Sequence, residues 1–343
     1  MPHPPALKAS LKRGAFIAAA NWPLVAVQFI AEGTLKLLLG VPLVGGIFLV
    51  VLLLGADVEE VLAGDVKQIL TSVVSALRAN PVALAFFGAA FLVVLLGGEV
   101  LTFIVKGGTV AILAEAESQA GPIERPPLRL AALRRANRTN IEPFLAGCRK
   151  FWRRYVKLGM VLLAVYAVTL FVVVSVMGFL LGGYSLAGYA GVLLGWTFAA
   201  FFALSTLVVW LTLVNFLYLL TQMAIALEDV GVREAMRRVA RFIRGNLREV
   251  AGIFGVVLLL VCIIAFASFV AATGLGLIAV IPFIGLAMVP LQLAAWLLRG
   301  IAFEYLALTA LGAYLTQYRY YLHSLATLRV QDTAADVTGP HLA

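Results

Sequence analysis

The sequence is poor in the residues that build catalytic centres and covalent cross-links. Only 3 histidines and 2 cysteines occur among 343 residues. His3, His323 and His341 lie near the ends of the chain, so no histidine-based metal cluster or Ser–His–Asp triad is visible. Cys148 and Cys262 fall in a basic helical stretch and in an apolar run, which argues against a disulfide. With no P-loop or dinucleotide fingerprint either, we expect no enzymatic activity, no cofactor and no metal.

Charge is also scarce. Charged residues make up 13% of the chain and hydrophobic residues 63%, with a mean hydropathy of +1.03. A soluble domain is about a quarter charged and about half apolar, so this class is excluded. Apolar runs longer than about 18 residues, the length that crosses a bilayer, recur along the chain. The sequence therefore predicts an all-α, polytopic membrane protein with about six transmembrane helices in three hairpins, at residues 23–55, 81–107, 156–182, 193–226, 250–275 and 284–318. Residues 1–330 are predicted to form a single domain, and residues 331–343 a disordered tail.

Basic residues mark one side of the predicted hairpins. They concentrate in the N-terminus and in residues 106–157 and 228–249, whereas the intervening connectors, including residues 56–80, are acidic or uncharged. The positive-inside rule assigns the basic connectors to the cytoplasm. We therefore expect a bacterial inner-membrane protein with both termini cytoplasmic. Because the net charge of +9 lies beside apolar runs, we expect anionic lipid headgroups as partners and no nucleic acid.

A basic amphipathic helix precedes the first span of each predicted hairpin. The residue pairs Leu11/Trp22, Phe144/Tyr155 and Met236/Leu247 share one spacing, and Arg13/Asn21 matches Arg238/Asn246. We interpret this spacing as three pseudo-repeats, at about 7–107, 141–227 and 232–320.

The basic helices are predicted to lie in the membrane plane, with one side in lipid and the other at the headgroups. In the third helix the predicted apolar face consists of Val232, Met236, Val239, Ile243 and Leu247. The same basic charges can instead serve only to fix the topology, and both interpretations stay open. The candidate contacts with anionic lipid are Lys12, Arg13, Arg149, Lys150, Arg153, Arg154, Arg237, Arg241, Arg244 and Arg248.

Five charged residues lie inside the apolar runs: Glu32, Lys36, Glu99, Arg299 and Glu304. Each costs about 2.5–3.5 kcal/mol at the centre of a span, so such groups usually face a bundle interior or a watery cavity. Glu32 and Lys36 have the spacing of a pair on one helix face, and Arg299 is a candidate partner for Glu99 or Glu32. One interpretation is an intramembrane site for an ion, a proton or a lipid headgroup. The other is a set of structural ion pairs.

Residues 58–78 have apolar side chains at helical spacing. This pattern predicts an amphipathic helix on the outer face of the membrane, or a lid over a cavity.

The passage from Ala226 to Arg238 (ALEDVGVREAMRR), which continues through Asn246 into a span at Val250, resembles a known family. It is similar to the helical membrane domain fused to some bacterial glycerophosphodiester phosphodiesterases, and to related uncharacterised six-span families. The resemblance is clearest over residues 220–265 and is architectural elsewhere. Because no soluble catalytic domain follows His323, phosphodiesterase activity is not carried over. The resemblance implies a stand-alone membrane module.

Two functional hypotheses follow from these features. The first is a non-enzymatic, lipid-associated scaffold or accessory subunit of a membrane complex, with lipids and other membrane proteins as partners. The alternative is a transporter or lipid-handling protein that uses the intramembrane charged residues.

Overall fold

The computed structural model describes residues 6–54, 81–125, 130–187, 190–279 and 284–337. The helix or lid predicted at 58–78 lies outside these residues. Within the described ranges the chain forms the helices α1 (Leu7–Ala20), α2 (Trp22–Leu54), α3 (Pro81–Gln119), α4 (Leu130–Ala136), α5 (Ile141–Ala187), α6 (Ala190–Glu228), α7 (Val232–Gly245), α8 (Leu247–Ala279) and α9 (Ile284–Val337).

Six of these helices contain segments long and apolar enough to cross a membrane: Trp22–Pro42, Ala85–Gln119, Ile141–Val176, Phe198–Glu228, Leu247–Leu277 and Ala287–Thr327. The prediction of an all-α, polytopic membrane protein is confirmed. Helix α9 continues to Val337, so residues 331–337 of the predicted disordered tail are helical here. Residues 338–343 lie outside the described part of the chain.

The chain forms two compact units. The smaller one consists of residues 27–105, and the larger one of residues 1–26 and 106–343. In the smaller unit α2 and α3 approach closely at Gly98, where an added Cβ would lie 2.2 Å from the Leu35 side chain. The larger unit contains the second and third hairpins and the basic helices.

Exposed apolar side chains form a belt around the spans of the larger unit. In α6 the belt runs from Phe198 to Leu217, which is roughly 29 Å at 1.5 Å per residue and matches a hydrocarbon core of about 30 Å. We call these stretches the apolar belt: Met160–Val176 in α5, Phe198–Leu217 in α6, Leu259–Leu277 in α8 and Val289–Tyr305 in α9. Their exposure indicates that lipid covers them.

The buried core of the larger unit lies at the basic end of the same helices, beyond the belt. Among its largest fully buried side chains are Ile17, Tyr155, Leu220, Phe242, Ile253, Tyr314 and Tyr318. The Tyr155 hydroxyl donates a hydrogen bond to the Gln222 carbonyl oxygen at 2.9 Å. We call this region the basic-end core.

Helices α1 and α7 are two copies of one element. Each has 14 residues and ends at an asparagine, Asn21 or Asn246, and the next helix begins at the following residue. The asparagine amide donates a hydrogen bond to the carbonyl oxygen four residues earlier, Ile17 at 2.9 Å and Phe242 at 3.2 Å. This local hydrogen bond competes with helix continuation and explains the break. The equivalence of Asn21 and Asn246, predicted from spacing alone, is supported by this shared geometry.

The basic stretch before the second hairpin differs, because it is not a separate helix. Helix α5 runs without a break from Ile141 to Ala187. By the spacing that matches Phe144/Tyr155 with Leu11/Trp22, Arg154 stands where α1 has Asn21. The Arg154 side chain pairs with Asp229 and does not bond back to its own helix. The prediction of three separate in-plane helices is wrong for residues 141–157.

The apolar faces of α1 and α7 pack into protein, which corrects the prediction that they lie in lipid. In α7 the buried residues are Ala235, Val239 and Phe242, whereas Met236 and Leu247 of the predicted face are exposed. The Phe242 ring packs against Tyr318, with ring centroids 5.0 Å apart. The buried face is therefore rotated by about one residue from the predicted one, and it belongs to the basic-end core.

Each basic segment packs against the second span of the preceding hairpin. Helix α7 packs on α6, and the start of α5 packs on the end of α3, where Gly147 lies against Gly108. Helix α1 packs on α9, with Gly14 against Gly312. In α7 this packing leaves the arginines on the exposed side of the helix.

Candidate functional site

The arginines of α7 and of the first turn of α8 form an exposed stripe on the basic-end core. We call it the arginine surface: Arg233, Arg237, Arg241, Arg244 and Arg248. The side chains of Arg237 and Arg241 are 62% and 64% exposed. Their nearest carboxylate is Glu234, at 4.0 Å from Arg237 Nη1 and 3.6 Å from Arg241 Nη2. One carboxylate therefore faces several guanidinium groups, and the surface keeps an excess of positive charge.

Glu234 is held ionised by these arginines. Arg238 Nε donates a hydrogen bond to Glu234 Oε1 at 3.0 Å, and this bond is the main cause that lowers the pKa of Glu234. The charges of Arg238, Arg241 and Arg237 lower it further. At neutral pH Glu234 is thus an anion that fixes the arginine side chains without neutralising the stripe.

Arg13, which we expected to contact lipid, has its charge directed into the protein. Its side chain is 14% exposed, with Nε 3.1 Å from Glu117 Oε1 and Nη1 3.0 Å from Glu124 Oε2. It also donates hydrogen bonds to the carbonyl oxygens of Glu117, at 2.9 Å, and Gly121. Arg13 therefore has no free donor face for a headgroup, and the prediction is wrong for this residue.

Glu117 is shared between two arginines. Its side chain is 6% exposed, and Arg319 Nε lies 2.8 Å from the second carboxylate oxygen. Arg319 also donates a hydrogen bond to the Ala114 carbonyl oxygen at 2.5 Å. We call Arg13, Glu117, Glu124 and Arg319 the buried charge cluster. Its two cations and two anions balance, which is typical of a structural network.

Two further candidate lipid contacts share a carboxylate. Arg154 forms an ion pair with Asp229, and Lys150 Nζ lies 3.8 Å from the same carboxylate oxygen. Asp229 occupies the left-handed region at φ 54°, in the turn between α6 and α7. These contacts tie α5 to this turn, so Lys150 and Arg154 are only partly available to lipid.

The remaining candidate contacts with anionic lipid differ in their exposure. Arg149 and Arg153 are exposed, and Arg153 lies over the Trp152 ring at 5.3 Å. Within the described part of the chain no carboxylate lies in ion-pair distance of Arg149, Arg153, Arg244 or Arg248. Lys12 is half-buried over the Phe16 ring at 5.6 Å. Exposed cations are therefore concentrated on α5 and on the arginine surface.

A cavity of about 220 Å³ opens beside the arginine surface, between α7 and α9. Its lining consists of Glu228, Arg238, Arg241, Tyr318, Tyr321, Leu322, Leu325 and Ala326. Glu228 accepts a hydrogen bond from the Tyr318 hydroxyl and forms an ion pair with Arg238. The lining therefore combines charged and polar groups with apolar side chains of α9.

The intramembrane charges are divided between the two units. In the smaller unit Lys36 Nζ lies 3.9 Å from Glu32 Oε2, as their spacing predicts, and Glu99 belongs to the same unit. Arg299 and Glu304 belong to the larger unit. Pairing of Arg299 with Glu99 or Glu32 stays a prediction. Arg299 is exposed and lies over the Phe303 ring at 5.7 Å.

The sequence did not single out Glu117, Glu124 or Arg319, because their partners lie about a hundred residues or more away. It also missed the second role of Asn21, whose amide donates to the Ala136 carbonyl oxygen at 2.9 Å. Asn21 Oδ1 accepts from the Arg138 backbone N–H at 2.8 Å. The repeated Asn21 and Asn246 were the available signal, and they pointed to the pseudo-repeats only.

Among the described residues no group of three histidine, cysteine or acidic side chains has the arrangement of a metal site. Comparison of the chain with protein-family models, with curated proteins and with solved structures finds no match.

Proposed function

We propose that this protein is a non-enzymatic integral membrane protein that binds anionic lipid at its basic end and acts as a scaffold or accessory subunit of a membrane complex. The observation that carries the proposal is the arginine surface, in which exposed guanidinium groups outnumber the carboxylate that faces them. It lies on the basic-end core, beyond the end of the apolar belt.

The proposal includes a location and an orientation. Basic residues near a membrane surface each contribute about 1 kcal/mol of attraction to anionic lipid, and the cytoplasmic leaflet of the bacterial inner membrane is anionic. The basic end and both termini are accordingly placed in the cytoplasm, as the positive-inside rule requires. The resemblance of residues 220–265 to membrane domains fused to phosphodiesterases fits this role as a membrane module.

A tryptophan-quenching measurement tests lipid binding at the arginine surface. Trp152 lies at the basic end and is partly exposed, so a protein in which Trp152 is the only tryptophan reports the lipid there. We expect brominated phosphatidylglycerol to quench Trp152 more strongly than brominated phosphatidylcholine. The double variant Arg244→Gln/Arg248→Gln removes roughly 2 kcal/mol of attraction, about a 30-fold loss of lipid preference.

The matched control is Arg134→Gln/Arg135→Gln, which removes the same charge from two exposed residues of the short helix α4. We expect this control to keep the preference, and 0.5 M salt to abolish it in the unmodified protein, because exposed charges are screened within a few ångströms at that ionic strength. An equal loss in both double variants, or a preference that salt does not change, would refute binding at the arginine surface.

A second candidate function, a transporter or lipid-handling protein, is favoured by one observation. Arg299 lines a cavity of about 550 Å³ within the apolar belt, between α8 and α9.

A further inference from the structure

A groove lies between α8 and α9 at the depth of the apolar belt. It has a volume of about 550 Å³ and is lined mainly by alanines and larger apolar residues, with the polar side chains Ser268, Gln292 and Arg299. Its lining on α8 begins at Ile264 and ends at Leu275, a length of roughly 16 Å at 1.5 Å per residue. This length is about half of a hydrocarbon core of about 30 Å, which is the depth of one leaflet.

Arg299 is the group in this groove that needs explanation. An arginine within a span is costly unless an anion or a polar cavity meets it. Within the described residues of the larger unit its contact is the Phe303 ring, and no carboxylate of that unit lies in ion-pair distance. Gln292 is on the same face two turns away and makes no hydrogen bond to another described residue. The groove thus presents unsatisfied donors to whatever fills it.

The position of Arg299 indicates how an occupant is oriented. It lies six residues from Tyr305, where the belt ends on α9, which is roughly 9 Å from the headgroup level of the basic side. The rest of the groove extends from there across the middle of the bilayer to Leu275, two residues before the belt ends on α8. A molecule with an anionic head and an aliphatic tail matches both the charged and the apolar part of the groove. The guanidinium binds the head, and the apolar lining covers the tail.

The size of the groove suits a lipid tail. A volume of 550 Å³ over about 16 Å gives a mean cross-section of roughly 34 Å², which is wide enough for an extended hydrocarbon chain.

We propose that the groove between α8 and α9 is a binding site for an anionic phospholipid, with the lipid phosphate on Arg299 and one acyl chain lying along the alanine-rich lining towards Leu275. A guanidinium recognises phosphate through paired charge-assisted hydrogen bonds. This inference deepens the proposed association with anionic lipid and rests on it.

Trp296 lines the groove and provides the test. A protein in which Trp296 is the only tryptophan is reconstituted in phosphatidylcholine vesicles that contain phosphatidylglycerol brominated on its acyl chains, or brominated phosphatidylcholine at the same fraction. We expect stronger quenching of Trp296 by phosphatidylglycerol, and we expect it to persist in 0.5 M salt because the phosphate lies below the screened surface. Arg299→Gln is expected to lower this preference roughly tenfold or more, the loss typical of a charge-assisted hydrogen bond, whereas Arg299→Lys keeps most of it.

The readings at Trp152 and Trp296 separate failure of the groove site from failure of the arginine surface. The groove site is overturned if both lipids quench Trp296 equally. The arginine surface still stands in that case if Trp152 shows a preference for phosphatidylglycerol that salt and Arg244→Gln/Arg248→Gln abolish. An unchanged preference at Trp296 in Arg299→Gln also overturns it. Even if a variant does not fold, the quenching of Trp296 by the two lipids in the protein that retains Arg299 still tests the groove site.

Discussion

At Glu117 the chain places a carboxylate that is almost inaccessible to water between two arginines. Arg13 comes from α1 and Arg319 from the extension of α9 beyond the belt, so this side chain joins three helices of the basic-end core. Removing such a charge from water costs free energy, and the attraction of the two arginines offsets this cost only while both remain in place. A carboxylate in this position holds helices together and does not recruit a ligand.

Replacing Glu117 by Gln is therefore expected to destabilise the protein markedly. Breaking a fully buried ion pair costs about 3–5 kcal/mol, and because Arg13 and Arg319 are 14% and 28% exposed we expect about 2–3 kcal/mol. Thermal unfolding in nanodiscs measures the loss. The matched control is Glu115→Gln, one exposed carboxylate on the same helix, which we expect to change stability by less than about 0.5 kcal/mol. A loss of similar size in both variants would show that Glu117 is not structural.

The sequence alone does not predict whether an arginine contacts lipid or protein. Arg13 and Arg241 both lie on basic amphipathic helices, and both were assigned to lipid. Arg13 differs because Glu117 and Glu124 approach it from more than a hundred residues away. Local pattern fixes the face of a helix on which a charge lies, but the partner on that face depends on tertiary packing.

At the scale of elements, close contact between α1 and α9 depends on glycines. A Cβ on Gly14 would lie 2.3 Å from the Thr309 carbonyl oxygen and 2.6 Å from the Ala313 nitrogen, both backbone atoms that cannot move independently of their helix. Gly312 lies opposite, where a Cβ would be 2.9 Å from the Gly14 Cα. Small residues at such crossings allow two helix backbones to approach.

Gly14→Ala is expected to separate α1 from α9 and lower stability by about 1–3 kcal/mol, the cost of overpacking. Gly255→Ala in α8 is the matched control, because a Cβ there meets no atom within 4 Å. Alanine also favours the helix more than glycine, so the control is expected to be neutral or slightly stabilising. Thermal melts of the two variants measure the difference. Equal melting temperatures would mean that the crossing is not tightly packed.

The elements themselves were largely predictable, because their signals are local. The recurring asparagines marked α1 and α7 as matching segments, and the length of the apolar runs predicted the number of spans. The continuity of α5 was missed because its basic stretch has the same periodicity as α1 and α7. The difference lies in one position, where α5 has Arg154 and the other two stretches have Asn21 and Asn246. The rotation of the buried face of α7 was missed because Phe242 and Tyr318 pair across the fold.

For the whole molecule, hydropathy predicted the spans, whereas the basic-end core was not predicted. Hydropathy measures the mean character of a run, and the runs continue past the belt into the core without a change in composition. What distinguishes the two regions is packing: the side chains of the belt in α6 are exposed, whereas Leu220 and Ile225 of the same helix are fully buried. The core therefore places the arginines at a fixed distance from the hydrocarbon.

The orientation of the molecule decides whether the arginine surface meets an anionic leaflet, and it can be tested at the two ends of α8. In a protein with Cys148→Ala and Cys262→Ala, Arg244→Cys places a thiol before the start of α8, and Gly276→Cys places one at the far end of the belt. Along α8 itself, residues 247 and 276 are separated by about 44 Å of rise, more than a hydrocarbon core of about 30 Å. We expect a membrane-impermeant maleimide to label position 276 in intact spheroplasts, and position 244 only after permeabilisation. Labelling of both from outside would mean that α8 does not cross the bilayer. Labelling of position 244 alone would invert the molecule and turn its arginines away from the cytoplasmic leaflet, which would remove the electrostatic basis of lipid binding at that end.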